Sequence, residues 1–81
     1  GDAISMFDLF QYYRDGIGVD RDQEEAVAWV ERAGDHGHLG ALQLMVRIHL
    51  DGLMGKAVDE AKAGQWALKF RQARKRTGNA D

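Results

Sequence analysis

The sequence predicts an all-α domain made of two antiparallel helix pairs stacked side by side. Three observations carry this. First, a pattern recurs at a fixed interval: Gly52 follows Gly16 by 36 residues, and Gly55, Asp59, Ala63 and Trp66 follow Gly18, Asp22, Ala26 and Trp29 by 37. Second, each copy holds a two-glycine turn between two helical stretches. Third, the apolar residues recur at three- and four-residue spacing, as they do on one face of a helix. A period in the high thirties that carries two helices and two turns is the mark of a stacked helical repeat, in which neither pair buries its apolar face alone.

The first helix is expected over about Ala3 to Arg14. Ser5, Met6, Leu9, Phe10 and Tyr13 share one arc, while Ile4, Phe7, Gln11 and Arg14 fall on roughly the opposite side. Gly16 and Gly18 supply the positive φ that a helix end and a sharp reversal require, and Val19 is expected to tuck into the helix junction. Asp22 reads as the cap of the second helix, with Glu25 three residues on in capping-box spacing. Ala26, Trp29, Val30 and Ala33 form that helix's predicted buried stripe, the alanines allowing close approach and Trp29 filling the space between helices. Ala33-Gly34, then Gly37, mark its end.

The third helix, about Leu39 to Leu50, repeats the first, with Ala41, Leu42, Met45, Val46 and His49 in register with Ser5 to Tyr13. The turn Gly52-Leu53-Met54-Gly55 is one residue longer than its counterpart. The fourth helix begins near Asp59 and carries Ala63, Trp66, Ala67, Phe70 and Ala73 on one face. The expected organisation is a single domain over 1–81, with repeats at about 3–38 and 39–76 and a frayed tail at 77–81.

The spacing from Leu9 through Tyr13, Gly16, Gly18, Val19, Asp22, Ala26, Trp29, Ala33 and Gly37-His38 to Ala41 resembles the Sel1-like repeat, one of the tetratricopeptide-type helical repeats. The resemblance covers nearly the whole chain as two repeats. It implies an α-α superhelix and a role in holding other proteins, often in signalling, secretion or assembly. It also implies a concave face lined by the first helix of each pair: Ile4, Phe7, Gln11 and Arg14, then Gln43, Arg47 and Leu50. The pattern opens at Ala3, so further repeats ahead of it are expected in a longer chain.

Several positions depart from the family pattern. Phe10 and Val46 stand where the family usually has glycine, and their side chains are expected to push the paired helices apart. His49 replaces the repeat tyrosine represented by Tyr13, and Lys56 replaces Val19. Ala33-Gly34 becomes Phe70-Arg71, and Gly37 becomes Arg74. The turn signal is lost there, so the last helix is expected to run on to about Arg76 as a basic C-terminal cap against which no third repeat stacks.

Composition narrows the chemistry. There are no cysteines, hence no disulfide, thiolate metal site or cysteine nucleophile. No run of 18 apolar residues is present to span a membrane. Residues 1–60 hold 5 Lys/Arg and 12 Asp/Glu, a net of −7, whereas residues 61–81 hold 6 and 1, a net of +5. The basic set is Lys69, Arg71, Arg74, Lys75 and Arg76. It suits the C-terminal end of a helix, and it could also dock on an acidic protein or lipid surface. No interleaved exposed aromatics accompany it, which argues against a nucleic-acid platform.

His36, His38 and His49 do not converge as metal ligands in this register, and His49 reads as a packed, hydrogen-bonded core residue. Asp20, Asp22, Glu24 and Glu25 crowd a helix start rather than a pocket. There is no P-loop, dinucleotide fingerprint or EF-hand spacing. The sequence therefore nominates no catalytic residue, metal or cofactor. It points to a protein-interaction scaffold, or else to structural repeats completing a longer solenoid.

Overall fold

The computed structural model describes residues 2–77, apart from the side chain of Thr77. It contains four helices: α1 (Ala3–Asp15), α2 (Gln23–Asp35), α3 (Leu39–Asp51) and α4 (Glu60–Thr77). Packing runs between α1 and α2, between α3 and α4, and between α2 and α3. The two pairs therefore lie in a row with α2 and α3 at the seam. The result is a slab of 41 × 28 × 15 Å with a radius of gyration of 12.8 Å, slightly more extended than the value of about 12 Å for a compact chain of this size. Beyond Thr77, the expected frayed tail lies outside the described residues.

Each helix begins where a side chain can satisfy its free amides. Asp2 accepts from the Ser5 N–H at 2.8 Å, Asp22 from Glu25 at 3.1 Å, and Asp59 from Lys62 at 3.0 Å. Before α3 this place falls to His38, whose Nδ1 accepts from the Ala41 N–H at 3.0 Å. The capping box expected at Asp22 forms only by half. The Asp22 N–H is taken instead by the Tyr13 carbonyl at 2.8 Å, which leaves Glu25 nothing to reach back to. In the second repeat the Asp59 N–H bonds the His49 carbonyl at 2.7 Å. One bond thus pins the start of each second helix to the end of the helix before it.

Both first helices end on a left-handed glycine, Gly16 at φ 71° and Gly52 at φ 69°. The extra residue in the second turn is absorbed by Met54, which adopts φ 55°. Val19 does not enter the helix junction. It is 39% exposed, because the bond from Asp22 to Tyr13 closes the turn and leaves the residues between them on the outside.

The core gathers Phe10, Ala26, Val30, Ala33, Ala41, Leu42, Met45, Ile48, Trp66 and Ala73. Phe10 is taken fully into it rather than wedging the helices apart, since the alanines of the same cluster leave room for the ring. Leu9 and Tyr13 are half-buried, and Ala63 is buried. The two tryptophans differ. Trp66 is 7% exposed, and its ring lies so near the seam that a Cβ on Gly34 would sit 3.1 Å from Trp66 Cζ3 and 3.3 Å from Leu42 Cδ2. Trp29 is only half-buried, and its Nε1 is buried without a hydrogen-bond partner. It packs against the edge of the core cluster rather than inside it, so it does not fill the core as expected.

Candidate functional site

The repeat supplies its own reference for what a covered surface looks like. Phe10, Val30, Ala33 and Gly34 are buried in the first pair, whereas the residues in register with them, Val46, Ala67, Phe70 and Arg71, are half-buried or exposed. In the first pair, α3 packs against α2, and Leu42 and Trp66 lie over Gly34. Val46, Ala67 and Phe70, with Gln43 and Arg47 on the rim, line a shallow groove of about 330 Å³ between α3 and α4. Arg47 holds an ion pair to Asp51 at 3.5 Å one turn along the same helix, and both partners are well exposed.

The residues expected on the first-helix face divide. Gln43, Arg47 and Leu50 are exposed on α3, and the first two border the groove. On α1, Ile4 is 68% exposed and Arg14 pairs with Asp15 at 2.9 Å. Its guanidinium sits 5.0 Å from the centroid of the Phe10 ring. The exposed phenylalanine expected at position 7 is not there. Phe7 and Gln11 are half-buried, and the Phe7 ring stacks on His38 at 4.6 Å with an interplanar angle of 11° and meets Phe10 at 5.2 Å. An apolar ring beside the α2–α3 loop gains more from these faces than from water, so Phe7 belongs to the packing.

Of the basic set, Lys69 is committed to the fold. Its ammonium pairs with Asp35 at 3.1 Å across the seam and lies 4.3 Å from the centroid of the Trp66 ring. Arg32 makes the equivalent stack on Trp29 at 4.6 Å. Arg71, Arg74, Lys75 and Arg76 are exposed along the last turns of α4. The histidines serve separately: His38 caps α3, His36 Nδ1 lies 2.9 Å from the Arg32 carbonyl oxygen, and His49 is buried. Its carbonyl receives the Asp59 amide, but its ring bonds no described residue, contrary to expectation. A neighbouring turn and helix hold Lys56 and Lys62 beside it, as taken up below.

Two stacked antiparallel helix pairs with a groove between α3 and α4 define a helical-repeat fold. The Sel1 repeat model matches residues 3–38 and 39–73, and the chain belongs to the Sel1 repeat family. The second match stops at 73, whereas α4 continues to Thr77. No curated protein and no solved structure gave a match to the chain. Sel1 repeats are generally protein-interaction or scaffold modules and are typically non-catalytic. No helix among the described residues is long and apolar enough to cross a membrane.

Proposed function

We propose that this chain is a non-catalytic scaffold domain that holds a segment of another protein in the groove between α3 and α4. One observation supports this most directly. Val46, Ala67 and Phe70 stand in register with Phe10, Val30 and Ala33, which are buried in the core one repeat earlier. The groove thus matches positions that the fold already buries elsewhere in the same molecule. Its apolar floor supplies burial and its Gln43–Arg47 rim supplies polar contacts, the arrangement of a helix-in-groove site.

The test is selection of helical peptides against the folded chain, followed by mapping of each binder through backbone amide shifts. Binders are expected to shift Val46, Ala67 and Phe70. Gln43→Glu with Arg47→Glu, both exposed positions, should abolish capture while the helical circular dichroism is unchanged. Binders that map instead to Arg71, Lys75 and Arg76 would replace this reading with docking through the basic helix. A chain that selects no binder would leave a purely structural pair of repeats.

A further inference from the structure

Two departures from the repeat pattern, His49 and Lys56, meet in one place. They line a cleft of about 260 Å³ between α2, α3 and α4, together with Lys62, Gln65, Trp66 and Lys69. Val27 and Glu31 of α2 and Met45 of α3 complete the lining. In register, the first repeat has Tyr13 for His49, Val19 for Lys56, Glu25 for Lys62 and Ala28 for Gln65. Three changes to lysine or glutamine and one exchange of tyrosine for histidine therefore converge on one cleft of the second repeat.

The setting favours an anion. Lys56, Lys62 and Lys69 line the cleft with one acid, Glu31, and Asp35 already pairs with Lys69, which leaves two lysines against Glu31. Lys69 is held in place by Asp35 and by the Trp66 ring. At the floor, the His49 side chain is more than nine-tenths buried and bonds no described residue. Its ring nitrogens are not among the buried unsatisfied atoms, so they remain open to the cleft and can bond a guest that enters it. Trp66 and Met45 add an apolar wall suited to the methylenes that carry a carboxylate.

We propose that this cleft is a second binding site, one that takes a carboxylate side chain from an acidic segment of a partner protein. The site rests on the interaction-module reading but not on the α3–α4 groove. Lysine ammonium groups give the carboxylate its charge partners. His49 and Gln65 give it hydrogen bonds, and Glu31 limits how much negative charge is accepted.

The experiment is a titration of the whole chain with capped hexaglutamate at low ionic strength, with hexaglutamine as the neutral control, reading the Trp66 indole and His49 ring signals by NMR. Hexaglutamate should shift both saturably, and hexaglutamine should not. Lys56→Val with Lys62→Glu places first-repeat residues in the second repeat, where the same fold already accepts them in register. It should weaken binding about tenfold or more, as expected for removing two charges and adding one opposite charge near a ligand. Glu31→Gln should tighten it.

Gln43→Glu with Arg47→Glu should leave hexaglutamate binding unchanged, which separates this site from the groove. Shifts confined to Arg71–Arg76 would overturn the proposal, as would a Lys56→Val/Lys62→Glu variant that binds hexaglutamate as well as the parent chain. Acetate or inorganic phosphate producing the same shifts at the same concentration would overturn the assignment to a peptide.

Discussion

Trp29 and Trp66 occupy equivalent positions in the repeat, yet their removal should have unequal consequences. Trp66 is 7% exposed and lies against Gly34 and Leu42 at the seam. Truncating a buried tryptophan to alanine costs about 3–5 kcal/mol through lost burial and the cavity left behind. Trp29 keeps more of its surface exposed than Trp66, so a smaller loss applies, about 2–4 kcal/mol. Its removal also takes away a buried, unbonded N–H whose desolvation costs about 1 kcal/mol or more. Trp29→Ala should therefore cost about 1–3 kcal/mol.

A domain of 81 residues has about 4–12 kcal/mol of stability in all. Trp66→Ala should consume about a quarter of it or more, and Trp29→Ala less. The assay is urea unfolding followed by far-ultraviolet circular dichroism, which is insensitive to the loss of a fluorophore, with midpoints compared at equal slope. The difference of about 2 kcal/mol corresponds to about 8–16 °C in thermal midpoint. If Trp66→Ala has no measurable folded baseline, the two Phe replacements should keep the same order. Equal costs, or a larger cost at Trp29, would refute the claim that only the second tryptophan closes the seam.

Three further outcomes are expected. Gly34→Val should destabilise by about 1–3 kcal/mol by forcing Trp66 and Leu42 aside. Gly34→Ala should be nearly neutral, because a gain of about 1 kcal/mol in helix propensity offsets the tighter contact; chemical denaturation ranks the two. Asp59→Ala should cost about 1 kcal/mol through the cap on Lys62, and Asp59→Asn should restore most of it. Thermal unfolding that fails to separate these variants would deny the cap its role. Finally, the hydrogen bond from the Ser5 amide holds the Asp2 carboxyl below its ordinary value of 3.8. Its capping contribution should be present above pH 3.8 and disappear as the pH falls through that lower value. The Ser5 amide shift should titrate below pH 3.8 and become flat in Asp2→Asn.

Much of the architecture was legible because it is written locally and then repeated. Gly16 and Gly52 announce their helix ends by tolerating positive φ, Asp22 and Asp59 announce helix starts, and the loss of the glycine turn after Phe70 announces a helix that runs on to Thr77. What escaped was set by contacts between distant segments. Periodicity puts Phe7 on an outer arc, but it cannot show that the loop before α3 lays His38 across the ring. It treats Trp29 and Trp66 alike because it carries no information about which of the two the core encloses. Lys56, Lys62 and Lys69 are spread over a turn and two turns of helix, so the cleft emerges only once α4 folds back across α2. The signal for it was present nonetheless: His49 and Lys56 were already odd within the repeat, and their meaning lay in being neighbours.

The bond that pins Asp22 to Tyr13 recurs between Asp59 and His49 although the second turn is a residue longer. Chain length between those two points is consequently free to vary while the helices on either side keep their register. Adding residues to such a loop costs little beyond closure entropy, roughly 0.6 kcal/mol for each doubling. A change of length in this scaffold is therefore best tolerated between the Leu53–Ile48 bond that closes α3 and the Asp59 cap that opens α4.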